Sequence, residues 1–181
     1  MLESLDNPIW FALTTEHRLL ARSHGLARRY PPDISPLAAL LHPTNDGFAD
    51  LQRLVSPSEH VALFTASPLD VPGDWQVDRT RWIDQMICQV SLARPPVTPL
   101  QLGTKDVPEM LELTAATDPG PFSPQTIQMG RYFGIRASDG INLVDPSGLC
   151  TISISITNLK CIEKNSEERS STKLSTADFE G

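Results

Sequence analysis

The segment with the clearest potential for chemistry is Arg22-Ser23-His24-Gly25-Leu26-Ala27. Its spacing of an arginine, a glycine and a small residue is one in which backbone amides can surround a phosphate. Such a cradle needs a strand before the glycine and a long helix after it, because the amides and the helix dipole then converge on the anion. Here the segment follows a predicted helix and leads into Tyr30-Pro31-Pro32. The context therefore favours a chance match over a phosphate site.

The other residue types that catalyse reactions or bind metals show no pattern of their own. The sequence contains no G-x-S-x-G, P-loop, G-x-G-x-x-G or H-E-x-x-H motif, so hydrolase, NTPase, dehydrogenase and zinc-protease chemistry has no anchor. Glu112 and Asp118 would act as general bases only in a dry pocket, and their context indicates exposed carboxylates. We therefore assign no catalytic residue. The histidines have no ligand spacing, which predicts no metal site: His17, His24, His42 and His60.

The charge and the cysteine content exclude several classes of protein. The 181 residues carry a formal net charge of −7 at pH 7, which disfavours binding to nucleic acid or to a membrane surface. No run approaches the roughly 18 apolar residues of a membrane helix, and the start of the chain is acidic where a secretory signal is basic. Three widely spaced cysteines indicate reduced thiols. We therefore expect a soluble, cytoplasmic protein.

The first half of the chain combines helical and strand patterns. Asn7-Pro8 is a cap residue followed by proline, and Ser35-Pro36 repeats this start signal. The stretch Arg94-Pro95-Pro96-Val97-Thr98-Pro99 is typical of a stiff linker. Apolar spacing predicts helices at residues 8–22, 37–41 and 45–55, followed by strands at residues 60–66, 75–77 and 82–90.

After this linker the strand and helix patterns resume. They predict a strand, a helix, a loop, a short helix and three strands at residues 100–102, 106–116, 117–122, 123–129, 132–136, 141–144 and 150–157. Helices and strands in this order indicate an α/β or α+β protein. We divide the chain into an N-terminal α/β region at residues 1–96, a second α/β unit at residues 97–157 and a disordered polar tail at residues 158–181.

The composition of the chain changes near residue 137. Residues 1–136 contain ten Arg, one Lys and fifteen of the sixteen prolines, whereas residues 137–181 contain one Arg, three Lys and one proline. The run from Asn165 to Thr172 has no apolar residue to bury and is typical of disorder. A different coding origin for the C-terminal segment, such as a frame change or readthrough, would explain the change. An ordinary solvated tail is the alternative.

Seven short segments, taken in order, carry a resemblance to a known family. Three are similar to the start of a GNAT-type N-acetyltransferase domain: residues 102–117, 119–122 and 129–136. Four are similar to the N-terminal region of a bacterial subgroup of that family: residues 5–10, 27–33, 61–65 and 85–88. The resemblance covers about residues 4–136 and implies a mixed GNAT-like sheet within an α/β (α+β) fold. It also implies acetyl transfer from acetyl-CoA, as co-substrate, to an amine.

The resemblance ends before the part of the family that holds the acetyl donor. GNAT proteins continue after Gly140 with further strands, a coenzyme-binding loop and its long helix, and no such pattern follows here. We therefore expect an incomplete sheet and a truncated acetyltransferase with weak activity or none, and carry over no donor-binding residue. The resemblance does imply an acceptor side, because in the family the loop between the first two helices borders the amine. That loop is Thr117, Asp118, Pro119, Gly120, Pro121 and Phe122.

A non-catalytic binding or interaction module is the alternative function. An incomplete sheet leaves an edge of unpaired backbone groups, which can pair with a protein partner or with a second copy of the chain. For the acetyltransferase the expected substrate is the amine of a small molecule or a peptide. A poorly folded fragment without function is the third possibility.

Overall fold

The structure is a computed structural model that describes residues 3–88, 99–117, 121–137, 140–143 and 152–164. Its helices are α1 (Glu3–Asp6), α2 (Pro8–Thr14), α3 (Asn45–Gln52) and α4 (Val107–Thr117), with 3-10 turns at Thr104–Asp106 and Thr126–Met129. Its strands are β1 (Arg22–His24), β2 (Ala27–Arg29), β3 (Leu37–Leu40), β4 (His60–Thr65), β5 (Trp75–Cys88), β6 (Leu100–Leu102), β7 (Tyr132–Ala137), β8 (Gly140–Leu143) and β9 (Ile152–Lys164). No helix within these ranges is long and apolar enough to cross a membrane.

The larger sheet is mixed and contains one parallel pair. Its six strands lie in the order β1-β2-β3-β4-β9-β5. β3 and β4 run parallel, with Leu37 opposite Ala62 and Ala38 opposite Leu63, and every other neighbouring pair in this sheet is antiparallel. Parallel neighbours need a crossover connection, and α3 supplies it here. The segment from β3 to β4 is therefore a β-α-β unit, the one part of the sheet where the carboxyl ends of two adjacent strands meet.

Helix α3 starts at a capping residue and packs one face on this sheet. The hydroxyl of Thr44 accepts a hydrogen bond from the N–H of Gly47 at 3.3 Å, as expected of an N-cap. Phe48 and Leu51 are buried against the sheet. A methyl group on Gly47 would collide with the carbonyl oxygen of His42, so only glycine lets the preceding loop fold over the first turn of the helix.

The smaller sheet is antiparallel, with the order β6-β7-β8. Leu102 and Met110 form its buried cluster, and three half-buried residues pack on them: Phe122, Ile127 and Tyr132. The segment before β7 also contacts the first part of the chain. The hydroxyl of Thr126 donates to the carbonyl of Ile34 at 2.6 Å, and the hydroxyl of Ser123 donates to the carbonyl of Asp33 at 2.6 Å.

The mixed α/β class predicted from the sequence is confirmed, but two predicted helices are wrong in kind or length. Residues 37–41 were expected to be helical because Ser35-Pro36 is a helix start signal, yet residues 37–40 form β3. Strands β2 and β4 lie on either side of this segment, so the sheet overrides the local preference. The helix expected at residues 8–22 ends at Thr14, where the hydroxyl of Thr15 donates to the carbonyl of Phe11 at 2.7 Å.

Two strand predictions are also corrected. Residues 75–77 and 82–90 were expected to be separate strands, whereas β5 is continuous through Cys88 with a bulge between Val77 and Arg79. The strand expected to end at residue 157 continues to Lys164, so residues 158–164, expected in the tail, pair with β4 and β5. Residues 94–98 of the expected linker and residues 165–181 of the expected tail lie outside the described residues. The division of the chain into domains stays a prediction.

A buried arginine ties β2 to the end of the β-α-β crossover. Arg29 is 0% exposed, and its guanidinium donates to the carbonyls of Tyr30 and Leu54 and to the carboxylate of Glu59 at 2.6 Å. Burial opposes ionisation of Glu59, but hydrogen bonds from Arg29 and Ser56 and the nearby positive charges prevail and lower the pKa of this carboxyl. The ion pair is therefore formed at neutral pH.

We predict that Arg29→Met lowers the free energy of unfolding by about 3 kcal/mol at pH 7, because it leaves buried acceptors and a carboxylate without their donor. Since the pKa of Glu59 is lowered on folding, the stabilisation is complete above the unfolded carboxyl pKa of about 4.3 and is lost as the pH falls through the folded pKa. The difference between the proteins should therefore shrink below about pH 4. Urea titrations followed by circular dichroism at pH 7 and pH 3 measure it.

The exposed Arg53 provides the matched control for this prediction. Arg53→Met should change the free energy of unfolding by no more than about 0.5 kcal/mol. Equal losses for the two variants, or a loss for Arg29→Met that does not depend on pH, would contradict the role assigned to the buried ion pair.

Candidate functional site

A cleft of about 170 Å³ opens at the carboxyl ends of β3 and β4. Open α/β sheets bind ligands at this end of parallel strands, so the position is the expected one for a site. Three parts of the chain line the cleft: Asp6 and Asn7 before α2, Leu40 at the end of β3 with Pro43 after it, and residues 63–69 from the end of β4 and the following loop.

The polar side chains of this cleft are mostly engaged in holding the backbone. The amide of Asn7 donates to the carbonyl of Leu40 at 2.7 Å, and its oxygen accepts the N–H of Trp10 at 3.3 Å. The hydroxyl of Thr65 donates to the carbonyl of Ser67 at 2.8 Å. Asp6 is the only charged residue of the lining, and none of the lining residues within the described part of the chain is basic. The cleft therefore suits an uncharged, largely apolar group.

The start of α3 lies beside this cleft, since Pro43 lines the cleft and Thr44 caps the helix. A helix N-terminus favours anions because its first N–H groups are not used within the helix. Here Thr44 already takes the N–H of Gly47, and the first turn carries the carboxylate of Asp46. These features leave few donors for a phosphate and place a negative charge next to them.

The segment Arg22–Ala27, with its phosphate-binding spacing, forms a different structure. It connects β1 to β2 as an antiparallel hairpin and precedes no helix, in agreement with its interpretation as a chance match. Gly25 takes a φ of +47°, which glycine adopts without strain. The N–H of Leu26 donates to the carboxylate of Asp50 on α3 at 2.8 Å, and His24 lies 3.6 Å from the same carboxylate. An internal carboxylate thus already holds the amide that an anion would need.

The predicted acceptor loop lies in the smaller part of the fold. Thr117 ends α4 with its hydroxyl donating to the carbonyl of Leu113 at 2.8 Å, and Pro121 is exposed. Phe122 packs its ring edge-to-face on Tyr132, with 5.7 Å between ring centroids. Asp118, Pro119 and Gly120 lie outside the described residues. Among the described residues of the loop, Thr117, Pro121 and Phe122 do not line the cleft, and the role of the loop as acceptor site stays a prediction.

A buried tyrosine and a half-buried histidine form a pair that the sequence does not reveal. The hydroxyl of Tyr30 lies 2.6 Å from Nδ1 of His17, and Tyr30 is 1% exposed. Burial, with a smaller contribution from Tyr132, raises the pKa of Tyr30 to about 12, so its phenol keeps its proton at neutral pH. Thirteen residues separate the two positions, which no local pattern connects. Neither residue lines the cleft, so we assign the pair a structural role.

Metal chemistry finds no support in the described part of the chain, where no three His, Cys, Asp or Glu side chains cluster to hold an ion. Two exposed histidines each lie near one carboxylate. Nε2 of His24 is 3.6 Å from Asp50, and Nε2 of His60 is 3.9 Å from Asp78.

The structure is similar to a crystal structure at 1.80 Å resolution from Novosphingobium aromaticivorans DSM 12444, provisionally assigned as an acetyltransferase from the GNAT family. The TM-score is 0.72 at 20% sequence identity, and the match covers 90% of this chain and 99% of that one. No family model and no curated protein matches this chain. The likeness establishes the fold, which is that of a GNAT acetyltransferase, and it confirms at this level the resemblance found in the sequence.

The coverage also bears on the length of the chain. The match spans 99% of the neighbouring chain, so nearly all of that protein aligns with a part of this one. The truncation inferred from the sequence is therefore not shown, and it stays a prediction.

We predict that Asp50→Ala lowers the free energy of unfolding by about 1 kcal/mol, because the N–H of Leu26 loses a charged acceptor that water replaces only in part. The amide resonance of Leu26 should also shift toward the position of a solvated amide in ¹H–¹⁵N spectra. Asp70→Ala, at an exposed loop position, is the control and should change stability by less than about 0.5 kcal/mol. An unchanged Leu26 resonance would show that the carboxylate does not occupy this turn.

Proposed function

We propose that this chain is a GNAT-like N-acetyltransferase that uses acetyl-CoA weakly and acts on an amine. The observation that carries the proposal is the cleft at the carboxyl ends of β3 and β4, beside the start of α3, in a chain with this fold. Fold alone does not establish activity, so the cleft is the part that needs testing. We further propose a soluble, cytoplasmic protein, in keeping with the composition of the chain.

The residues of the cleft fit one part of acetyl-CoA better than the other. Leu40, Leu63 and Phe64 offer an apolar surface for the uncharged arm and acetyl group. The phosphates of acetyl-CoA find few favourable contacts in the cleft, because its lining contains the carboxylate of Asp6 and no basic residue within the described part of the chain. Charged phosphates that lose water without gaining partners cost free energy. The expected affinity is therefore low, which supports weak activity.

The acceptor is the amine of a small molecule or of a peptide. We propose that it approaches along the loop formed by Thr117, Asp118, Pro119, Gly120, Pro121 and Phe122, as the resemblance to the family implies. In this chemistry the neutral amine nitrogen bonds to the thioester carbonyl carbon, the carbon–sulfur bond breaks, and the thiol leaves with a proton. No described residue near the cleft is assigned as the base.

Direct titration with acetyl-CoA tests this proposal. We expect saturable binding with a Kd near the upper end of the usual substrate range, about 1 mM. Ala66→Trp should abolish it, since Ala66 is exposed and lines the cleft, where an indole would fill the space. Ala49→Trp is the matched control on an exposed alanine of α3 outside the cleft and should bind as the parent does. Isothermal titration, with circular dichroism to verify folding, measures both.

Two results would contradict the proposal. No binding by a folded chain up to several millimolar acetyl-CoA would exclude a donor site, and equal effects of both tryptophan substitutions would place the site elsewhere. Release of thiol from acetyl-CoA in the presence of a panel of primary amines then reports whether binding leads to transfer.

We also predict that Asp46→Asn raises the affinity for acetyl-CoA about two- to fivefold, because it removes a negative charge from the first turn of α3, which lies beside the cleft. The gain should shrink as salt is raised from low to physiological concentration, since salt screens exposed charges. The same titration measures it. An affinity that is unchanged or lower would show that the phosphates bind away from this helix.

A non-catalytic interaction module is the second candidate, favoured by one observation. Strand β5 is the last strand of the larger sheet and is hydrogen-bonded only to β9 within the described residues. An edge of 14 residues is long for a sheet that remains unpaired on that side. A folded chain that binds no acetyl-CoA would favour this function.

A further inference from the structure

The outer edge of β5 is a row of backbone donors and acceptors with an unusual set of side chains. Each residue of a strand directs its N–H and C=O to one side or the other, and on the side away from β9 no other strand of the described residues pairs with β5. Residues 76–82 of this strand are exposed throughout, although Trp75 before them is buried in the core. This stretch therefore extends from the body of the protein with both of its faces accessible.

Arg79 and Arg81 give this edge a local positive charge. Both side chains are exposed, and neither has an ion-pair partner within the described part of the chain. They are two residues apart in a regular stretch after the bulge, so they lie on the same face of the sheet. The chain as a whole is acidic, with a net charge of −7. Two cations on one face of a strand, with no ion-pair partner among the described residues, are therefore a distinctive feature.

Thr80 and Trp82 occupy the opposite face of the same stretch. Trp82 is 65% exposed, and Thr80 lies opposite Lys160 of β9 in the strand register. An exposed indole on a strand favours apolar or aromatic cross-strand neighbours. Successive residues from 79 to 82 therefore alternate between a cationic face and a face that carries Trp82.

The charges argue against a second copy of the chain as the occupant of this edge. Two copies that pair antiparallel about Thr80 would place Arg79 opposite Arg81. Pairing about Arg79, or about Arg81, would place that arginine opposite the same arginine of the second copy. Like charges directly opposite one another destabilise a sheet, and the bulge before Arg79 disturbs a flat self-pairing further.

We propose that the outer edge of β5, over residues 76–82, binds an extended acidic peptide by strand addition. Backbone hydrogen bonds to this edge provide the part of the affinity that does not depend on the side chains of the peptide. Carboxylates at every second position of the peptide face Arg79 and Arg81, and apolar side chains at the positions between them pack on Trp82. This interaction does not depend on acetyl transfer, so it can be tested whatever the outcome for acetyl-CoA.

The test uses the full chain and a fluorescein-labelled ten-residue peptide that alternates Glu with Val. Fluorescence anisotropy should show saturable binding, and the same peptide with Lys in place of Glu should bind at least about tenfold more weakly. A third peptide with the same side chains but an N-methylated backbone keeps the charge and removes the backbone donors on both sides of the strand, so it should also lose binding. Equal binding of the acidic and N-methylated peptides would show charge attraction without strand addition and would overturn the proposal.

Substitutions in the chain test whether the acidic peptide binds at this edge of β5. The double variant R79Q/R81Q should weaken binding of the acidic peptide about tenfold and bring its affinity close to that of the Lys peptide. The double variant R18Q/R53Q, which removes two exposed arginines elsewhere, is the matched control and should bind as the parent does. Circular dichroism verifies that both variants are folded. Unchanged binding by R79Q/R81Q, or no binding of the acidic peptide by the parent chain, would contradict the proposal.

Discussion

The packing of the larger sheet depends on one buried guanidinium. Arg29 sits at the end of β2 with no exposure, and its donors satisfy the carbonyl of Leu54 after α3 and the carboxylate of Glu59 before β4. A buried charge is tolerated only where partners compensate its lost hydration. The position of the crossover helix between the two parallel strands is therefore coupled to the strand beside them.

Much of the fold could be predicted from the sequence, where local patterns and tertiary structure agree. The apolar spacing of α3 and α4 and the apolar run of β4 predicted these elements correctly. The strand at Leu37–Leu40 was missed because Ser35-Pro36 is a helix start signal, and only pairing between β2 and β4 makes this segment extended. The continuity of β5 was missed because a polar stretch with a bulge has the pattern of a turn.

The candidate site was harder to predict than the fold because its residues are distant in sequence. The cleft combines Asp6 with residues near 40 and with residues 63–69, and no spacing links these segments before the chain folds. The one phosphate-like pattern, at Arg22–Ala27, belongs to a hairpin whose amide is held by Asp50. The resemblance to the GNAT family indicated the fold correctly, while the position of the cleft required the strand order.

Mapping acetyl-CoA by ¹H–¹⁵N spectra of the full chain tests most directly whether this fold retains a donor site. If the cleft at β3 and β4 is that site, the amides of Leu40, Thr44 to Asp46, residues 63–67 and Leu69 should shift with the ligand concentration, while those of β1 and β2 should not. Shifts confined to the Arg22–Ala27 hairpin or to the smaller sheet would contradict the assignment of the cleft. An unchanged spectrum would leave a protein with the acetyltransferase fold and no acetyl donor.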